Sequence, residues 1–508
     1  MGIILEIGRQ NGKFWIGQRI ERAVSKAVVW RPDDPTSATT QRYRGPNDDA
    51  PIVVQYYMYT ITNLVDVRNG ARPTLKRLGP YTFRKVKRKV RVKFSTDNTT
   101  VSFRELSTYV AIPEATNGSL DDPVTTLNLP LIGAIEAIHA RFSTRIAPWL
   151  QLLARLIEGW GDSRIQGLFT TRTVSELLFG YDDALLARAA RLLPSAGIES
   201  RCLLVRNMTG PLDTSAEDEN EVYTGAGRLN DVLRYAMWHG ASNVSSWNEP
   251  FVELVSGTDG SQFSPGLQGG DKVRVWAGEA YRSIEFVSEN DGDFKVGSVP
   301  VLKLRPDPAQ REPDPRYYQY IKGLMNITSP SSRGRATSGP YLFLSLPGYC
   351  GIDDRRVVDS AVGIDCNGTS KDYDVFLDVE PTTGITLRAE KALMLSSWFG
   401  QRYKAIDSSV ADDTFIPIFW ANEKSEASPR QLQMFTTLLY AQAAERFFKS
   451  MAGPLALVVL LAGMTCLIVA IVWSNSNSTS GIINRKEVRE GPPIDVDDMQ
   501  HLLGNDAP

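Results

Sequence analysis

Catalysis needs convergent acids, bases or nucleophiles, and this chain offers few. It contains three histidines, His139, His239 and His501, and no HExxH, CxxC pair, GxSxG elbow or P-loop. Zinc-assisted or triad chemistry therefore lacks its donors. Adjacent acids stand at Asp182 and Asp183, Asp353 and Asp354, and Asp412 and Asp413; without a neighbouring base or metal they read as solvated turn residues. The glycines of Gly266–Gly270 (GLQGG) lack the strand, turn and helix context of a nucleotide fingerprint. No enzyme, metal or cofactor is expected.

The chemistry that the residues do support is that of a secreted surface. N-x-S/T sequons occur at Asn98, Asn117, Asn207, Asn243, Asn326 and Asn367, spread over the first three quarters of the chain. Cys350 and Cys366 are close enough to close a short disulfide loop in an oxidising compartment, which leaves Cys202 without a partner and Cys466 inside an apolar run. Arg84–Lys93 (RKVKRKVRVK) carries seven basic residues in ten positions with valines interleaved. Two readings stand for it: a solvated strand face, or a surface that attracts lipid head groups, glycans or lipoprotein. The net charge of −2 argues against nucleic-acid binding.

These groups must be positioned by an ordered domain held at a membrane. Gly453–Trp473 (GPLALVVLLAGMTCLIVAIVW) has no charged side chain and is apolar on every face; as a helix it extends roughly 30 Å, the hydrocarbon thickness. Arg485, Lys486 and Arg489 follow it, so the tail is expected to be cytosolic and the region before the helix luminal or extracellular. A sequon at Asn477, just past the helix, should then go unused.

Before the helix, short runs rich in Val, Ile, Tyr, Phe and Thr read as strands: Pro51–Ile61, Lys272–Trp276, Ser283–Val287, Val299–Leu304, Tyr341–Leu346 and Phe415–Trp420. No fixed-period repeat is visible, which argues against a propeller or solenoid. Apolar residues at helical spacing between Leu131 and Leu178 predict a helical insert, and further helices are expected at Gly227–His239 and Pro429–Lys449.

Several strings, in order, resemble one family, the class B scavenger receptors. They are LGPYTFR (Leu78–Arg84), VSFRE (Val101–Glu105), Leu127 with Asn128, RTVSELLFGYD (Arg172–Asp182), GTDGSQFSP (Gly257–Pro265), YRSIEFVSE (Tyr281–Glu289), LSLP (Leu344–Pro347), LDVEPTTG (Leu377–Gly384) and FIPIFW (Phe415–Trp420). The resemblance covers about Trp15 to Trp473. It implies an α+β, β-rich fold: an asymmetric antiparallel β-barrel ectodomain with an apolar tunnel, an apical helical bundle and a C-terminal transmembrane helix. A barrel wall shields an alkyl or sterol chain from water at about 0.8 kcal/mol per methylene.

By position, the helical insert corresponds to the family's ligand-binding apex. The resemblance places Arg141, Arg145, Arg155 and Arg164 there for anionic ligands, and Ile146, Trp149 and Leu150 as an apolar docking face. His139 falls close to a histidine that the family's lysosomal branch uses for pH-dependent partner release, a role that imidazole chemistry suits. A packed bundle with a solvated outer face explains the same residues without function.

The expected organisation is a membrane-proximal segment 1–29, an ectodomain 30–449 with its apex at 131–178, a spanning helix 450–474 and a tail 475–508. Two features depart from the family. Residues 1–14 hold no run long enough to span, so a first anchor is expected upstream. The family's cysteine-rich stretch is missing, with Tyr281 where many relatives carry cysteine.

In the tail, DMQHLL (Asp498–Leu503) resembles an acidic dileucine signal read by clathrin adaptors, with Asp498, Leu502 and Leu503 as its anchors. The leading expectation is a lysosomal or endosomal receptor that conducts lipid (fatty acid, sterol or phospholipid) through its ectodomain and escorts a luminal hydrolase. A plasma-membrane receptor for fatty acid or lipoprotein lipid, and a structural glycoprotein or adhesin, are the competing readings.

Overall fold

The computed structural model describes residues 50–142, 165–184, 201–205, 219–244, 251–289, 292–318, 321–328, 341–364, 375–400, 413–437 and 457–474, with isolated positions between and before them. The chain divides into two compact units, Met1–Thr436 and Thr437–Pro508.

The first unit is built on one antiparallel sheet. Its main strands in chain order are β1 (Ile52–Ile61), β2 (Leu75–Phe94), β3 (Thr100–Ala111), β4 (Asn220–Tyr223), β5 (Tyr235–Met237), β6 (Lys272–Ala277), β7 (Arg282–Ser288), β8 (Leu302–Pro306), β9 (Phe376–Glu380), β10 (Ile385–Phe399) and β11 (Thr414–Glu426). They pair in the order β5-β4-β3-β2-β1-β11-β10-β9-β8-β7-β6. The central register sets Ile52 opposite Lys85 on β2 and Ser425 on β11. Two short strands, Met325–Asn326 and Leu342–Ser345, extend the sheet beside β10.

The two ends of this path meet. Tyr235 N donates to Gly257 O at 2.8 Å, Thr258 N donates to Arg274 O at 3.1 Å, and Trp276 N donates to Thr258 O at 2.8 Å. The GTDG string thus joins β5 to β6 and nearly closes the sheet into a barrel, which removes the exposed edges that an open sheet would carry. Gly257 is required there: its φ is +96° and an added Cβ would lie 2.4 Å from Arg274 O.

The helix Leu129–Phe142 starts where Asn128 caps it, the Asn128 Oδ1 accepting from Leu131 N at 3.3 Å. Its Leu131, Ile132 and Ile135 pack into the largest core cluster against Tyr59, Phe169 and Trp420. Tyr403 donates to the buried Glu136 Oε1 at 2.6 Å and anchors the same helix. The helix Val174–Phe179 carries a capping box between Thr173 and Glu176. Between these two helices lie two strands: Phe169–Thr173 pairs on one side with Pro123–Leu127 and on the other with Ile165–Gln166.

Two expectations need revision. The helical patterning expected between Leu131 and Leu178 gives way at Ile165–Gln166 and Phe169–Thr173, which satisfy their backbone in that small sheet. Gly227–His239 is not helical: Leu229–Asp231 is a single 3-10 turn, and the chain then extends as β5, where Gly257 takes the Tyr235 N–H. From Pro429 the chain is helical through Thr437, and the rest of the expected helix to Lys449 lies outside the described residues.

Among its described residues the second unit contains one helix long and apolar enough to cross a membrane, Leu457–Ser474, none of it buried against protein. An apolar helix with no protein cover is what a lipid environment requires.

Candidate functional site

Inside the barrel lies a cavity of about 1240 Å³, above the roughly 300–1,000 Å³ usual for small-molecule sites. Part of its wall is apolar, from Trp276 on β6, Ile284 and Phe286 on β7, Leu377 on β9 and Leu393 on β10. The rest is charged, and its source is the alternation of β2. Arg84, Arg88, Arg91 and Lys93 are exposed outside, whereas Lys85, Lys87 and Lys89, each two residues apart, turn to the cavity. Both readings of the basic run thus apply only to its outer half.

The inner lysines belong to a belt of ion pairs. Glu105 on β3 takes Lys87 at 3.0 Å and Lys89 at 3.5 Å. Glu423 on β11 takes Lys85 at 3.1 Å and lies 3.9 Å from Lys391 on β10. Lys391 in turn reaches Glu279, on the turn between β6 and β7, at 2.6 Å. The ammonium of Lys89 also sits 3.9 Å from the Tyr43 ring centroid, a cation–π contact.

Burial alone would push the Glu105 carboxyl up, but Lys87 and Lys89 outweigh it and hold the group down at about 2. The Lys391 ammonium holds Glu279 at about 2. Glu423, which burial would also raise, is kept well below the carboxylate range by Lys85 and Lys391. Glu105 in turn raises Lys87 against the lowering effect of burial. Burial would lower Lys391 as well, yet Glu279 and Glu423 leave it raised. Mutual attraction holds Glu105, Glu279, Glu423, Lys87 and Lys391 in their charged forms.

The strings that carried the resemblance turn out to hold this wall together. Asp378 of LDVEPTTG is wholly buried and accepts from Lys303 at 2.8 Å and from Arg388 Nε at 2.7 Å. Glu380 closes the following turn by accepting from Thr382 N, Thr383 N and the Thr383 hydroxyl. That turn docks on GTDGSQFSP through Phe263 N to Gly384 O at 2.7 Å.

Of the residues singled out from sequence, Cys350 and Cys366 are joined as a disulfide, with Cα atoms 5.1 Å apart. Cys202 is a free thiol that burial raises to about 11. Asn98, Asn117 and Asn243 are exposed, and Asn326 is half-buried with its Oδ1 accepting from Thr328 N. His139 and Arg141 fall on the helix Leu129–Phe142. Arg145, Ile146, Trp149, Leu150, Arg155, Arg164, Asn207, Asn367, Asp498, Leu502 and Leu503 lie outside the described residues. The belt residues Glu279, Lys391 and Glu423 escaped the sequence reading, and only the period-two spacing of Lys85, Lys87 and Lys89 signalled an inward charged face.

Comparison with known proteins now places this architecture. The model of the CD36 family matches residues 14–472. The chain belongs to the CD36 family. This CD36-family chain is 24% identical to lysosome membrane protein 2 of Homo sapiens over 436 residues, 83% of the chain and 84% of that relative. It is likewise 24% identical to scavenger receptor class B member 1 of Mus musculus over 395 residues, covering 77% and 73%. Membership makes the CD36-family barrel and its membrane helix parts of a scavenger-type receptor.

Proposed function

We propose that this CD36-family chain is a lysosomal or endosomal receptor that binds lipid in the barrel cavity and conducts it through the ectodomain towards the bilayer. The observation that carries the reading is the cavity of about 1240 Å³ lined by the barrel strands of a chain that also has a helix long and apolar enough to cross a membrane. A receptor role without catalysis accords with the family and with the scarcity of catalytic donors. In this reading the helix Leu129–Phe142, with His139 and Arg141, begins the recognition apex, which Arg145, Ile146, Trp149, Leu150, Arg155 and Arg164 complete. The apex is the docking face for a luminal hydrolase that the receptor escorts. Asp498, Leu502 and Leu503 address the molecule through a clathrin adaptor. Similarity to scavenger receptor class B member 1 supports a second reading, lipid or lipoprotein uptake at the plasma membrane.

Lipid extracted from the purified full chain and identified by mass spectrometry tests the central claim. Stoichiometric lipid is expected, and a preparation that carries none after exposure to mixed-lipid vesicles would overturn it. The double substitution Leu502→Ala and Leu503→Ala should shift the protein from acidic compartments to the cell surface. A wild-type protein already at the surface, with no shift in the variant, decides for the second reading.

A further inference from the structure

One pair in the belt is built differently from the others. Lys87 with Glu105 and Lys391 with Glu423 join adjacent strands, and Lys85 with Glu423 spans only β1. Glu279 and Lys391 come from elements separated by β9 and β8 along the sheet, so their 2.6 Å contact runs across the interior. Glu279 sits on the 3-10 turn Gly278–Ala280, which ends on Tyr281 in the left-handed region, φ 52°. Both side chains line the cavity, and Glu279 leaves 54% of its surface open and Lys391 36%. Since these groups border the cavity, that open surface is accessible to whatever fills it.

The cavity as a whole is cationic. Nine lysines and arginines line it against six acids, in a chain whose net charge is −2. A surplus of positive charge suits an anionic oxygen group.

We propose that Glu279 and Lys391 form an exchangeable ion-pair lock across the barrel lumen, which admits amphiphiles with an anionic head group and resists neutral ones. An incoming carboxylate or phosphate replaces Glu279 on Lys391, so Lys391 exchanges one counterion for another. Lys85, which already helps to keep Glu279 ionised, is at hand for the displaced carboxylate. A neutral head group parts the same two charges and offers Lys391 no replacement for Glu279. Glu279 and Lys391 are thereby specificity-determining residues, and this assignment rests on the reading that the cavity takes lipid.

The test compares palmitate with methyl palmitate, which keeps the chain and loses the charge. Each labelled probe is equilibrated with the full-length protein in phosphatidylcholine nanodiscs. Wild type should retain palmitate at least about tenfold more tightly than the ester. Lys391→Met should abolish that preference while still holding the ester. Glu279→Gln removes the competing carboxylate and should tighten palmitate binding by about tenfold. The exchanged pair, Glu279→Lys with Lys391→Glu, should restore the preference, which separates loss of the lock from loss of the fold. Acetate, the head group without the chain, should leave palmitate bound; displacement by acetate would make this a small-anion site and overturn the proposal. So would a wild-type preference that survives Lys391→Met, or palmitate affinity unchanged by Glu279→Gln. A wild type that retains both probes equally overturns the lock alone. One that retains neither overturns the lipid reading beneath it.

Discussion

Asp378 shows how much of this fold rests on single side chains. Its carboxylate is wholly buried on β9 and binds Lys303 on β8 and Arg388 on β10, so one residue ties three neighbouring strands. Lys303 is itself almost buried, its ammonium 3.8 Å from the Phe376 ring centroid. Replacing Asp378 by Asn removes the charge and leaves the nearly buried Lys303 ammonium without its carboxylate, a change that costs about 3–5 kcal/mol for a buried pair. Urea denaturation of the Asp378→Asn variant should show a loss of this size. A loss below about 1 kcal/mol, the value of an exposed pair, would mean that water reaches Lys303.

At the scale of the element, β2 is the strand whose two faces do different work, and its inner face makes a prediction about pH. Glu105 has its carboxyl lowered from 4.5 to about 2 in the folded protein. A depressed carboxyl stabilises the fold fully above its unfolded value and loses that contribution as pH falls towards the folded one. The stability difference between wild type and Glu105→Gln should therefore be the same at pH 7 and pH 5, on the order of 3 kcal/mol. It should shrink steadily below pH 4, which thermal unfolding at a series of pH values would read. A difference that already falls between pH 7 and pH 5 would show that Lys87 and Lys89 do not hold Glu105 ionised. Between pH 7 and pH 5 this part of the wall thus stays intact.

The same strand shows what was legible in the sequence. Its period-two charges could be read, but which face turns inward is fixed by β3 and β11, which bring Glu105 and Glu423 to meet the lysines. Glu279 was harder still, since its partner Lys391 lies 112 positions away. Strand-forming runs such as Pro51–Ile61 and Phe415–Trp420 were recognised because local propensity and tertiary pairing agree there. Gly227–His239 was misread because they conflict: its apolar spacing is helical, yet Gly257 O claims the Tyr235 N–H and draws the chain into β5.

For the whole molecule, the property that decides between compartments is which side of the membrane the barrel occupies. Oligosaccharyl transfer acts only in the secretory lumen and needs an accessible sequon. Asn98, Asn117 and Asn243 are exposed on the barrel unit, with Asn98 at a tight turn of φ 57° where the side chain stands clear of the sheet. Asn326 is half-buried, so its amide is less available to the transferase. Asn477 follows the spanning helix on its other side. If the barrel is luminal, Asn98→Gln, Asn117→Gln and Asn243→Gln should each remove one glycan's worth of mobility on electrophoresis. Asn477→Gln should change nothing, and Asn326→Gln little. Enzymatic removal of N-glycans from wild type should give at least the combined shift, any excess coming from Asn207 and Asn367. The reverse pattern, a glycan at Asn477 and none on the barrel, would place the cavity in the cytosol. Lipid entering it would then come from the cytosolic side, and the receptor reading would have to be given up.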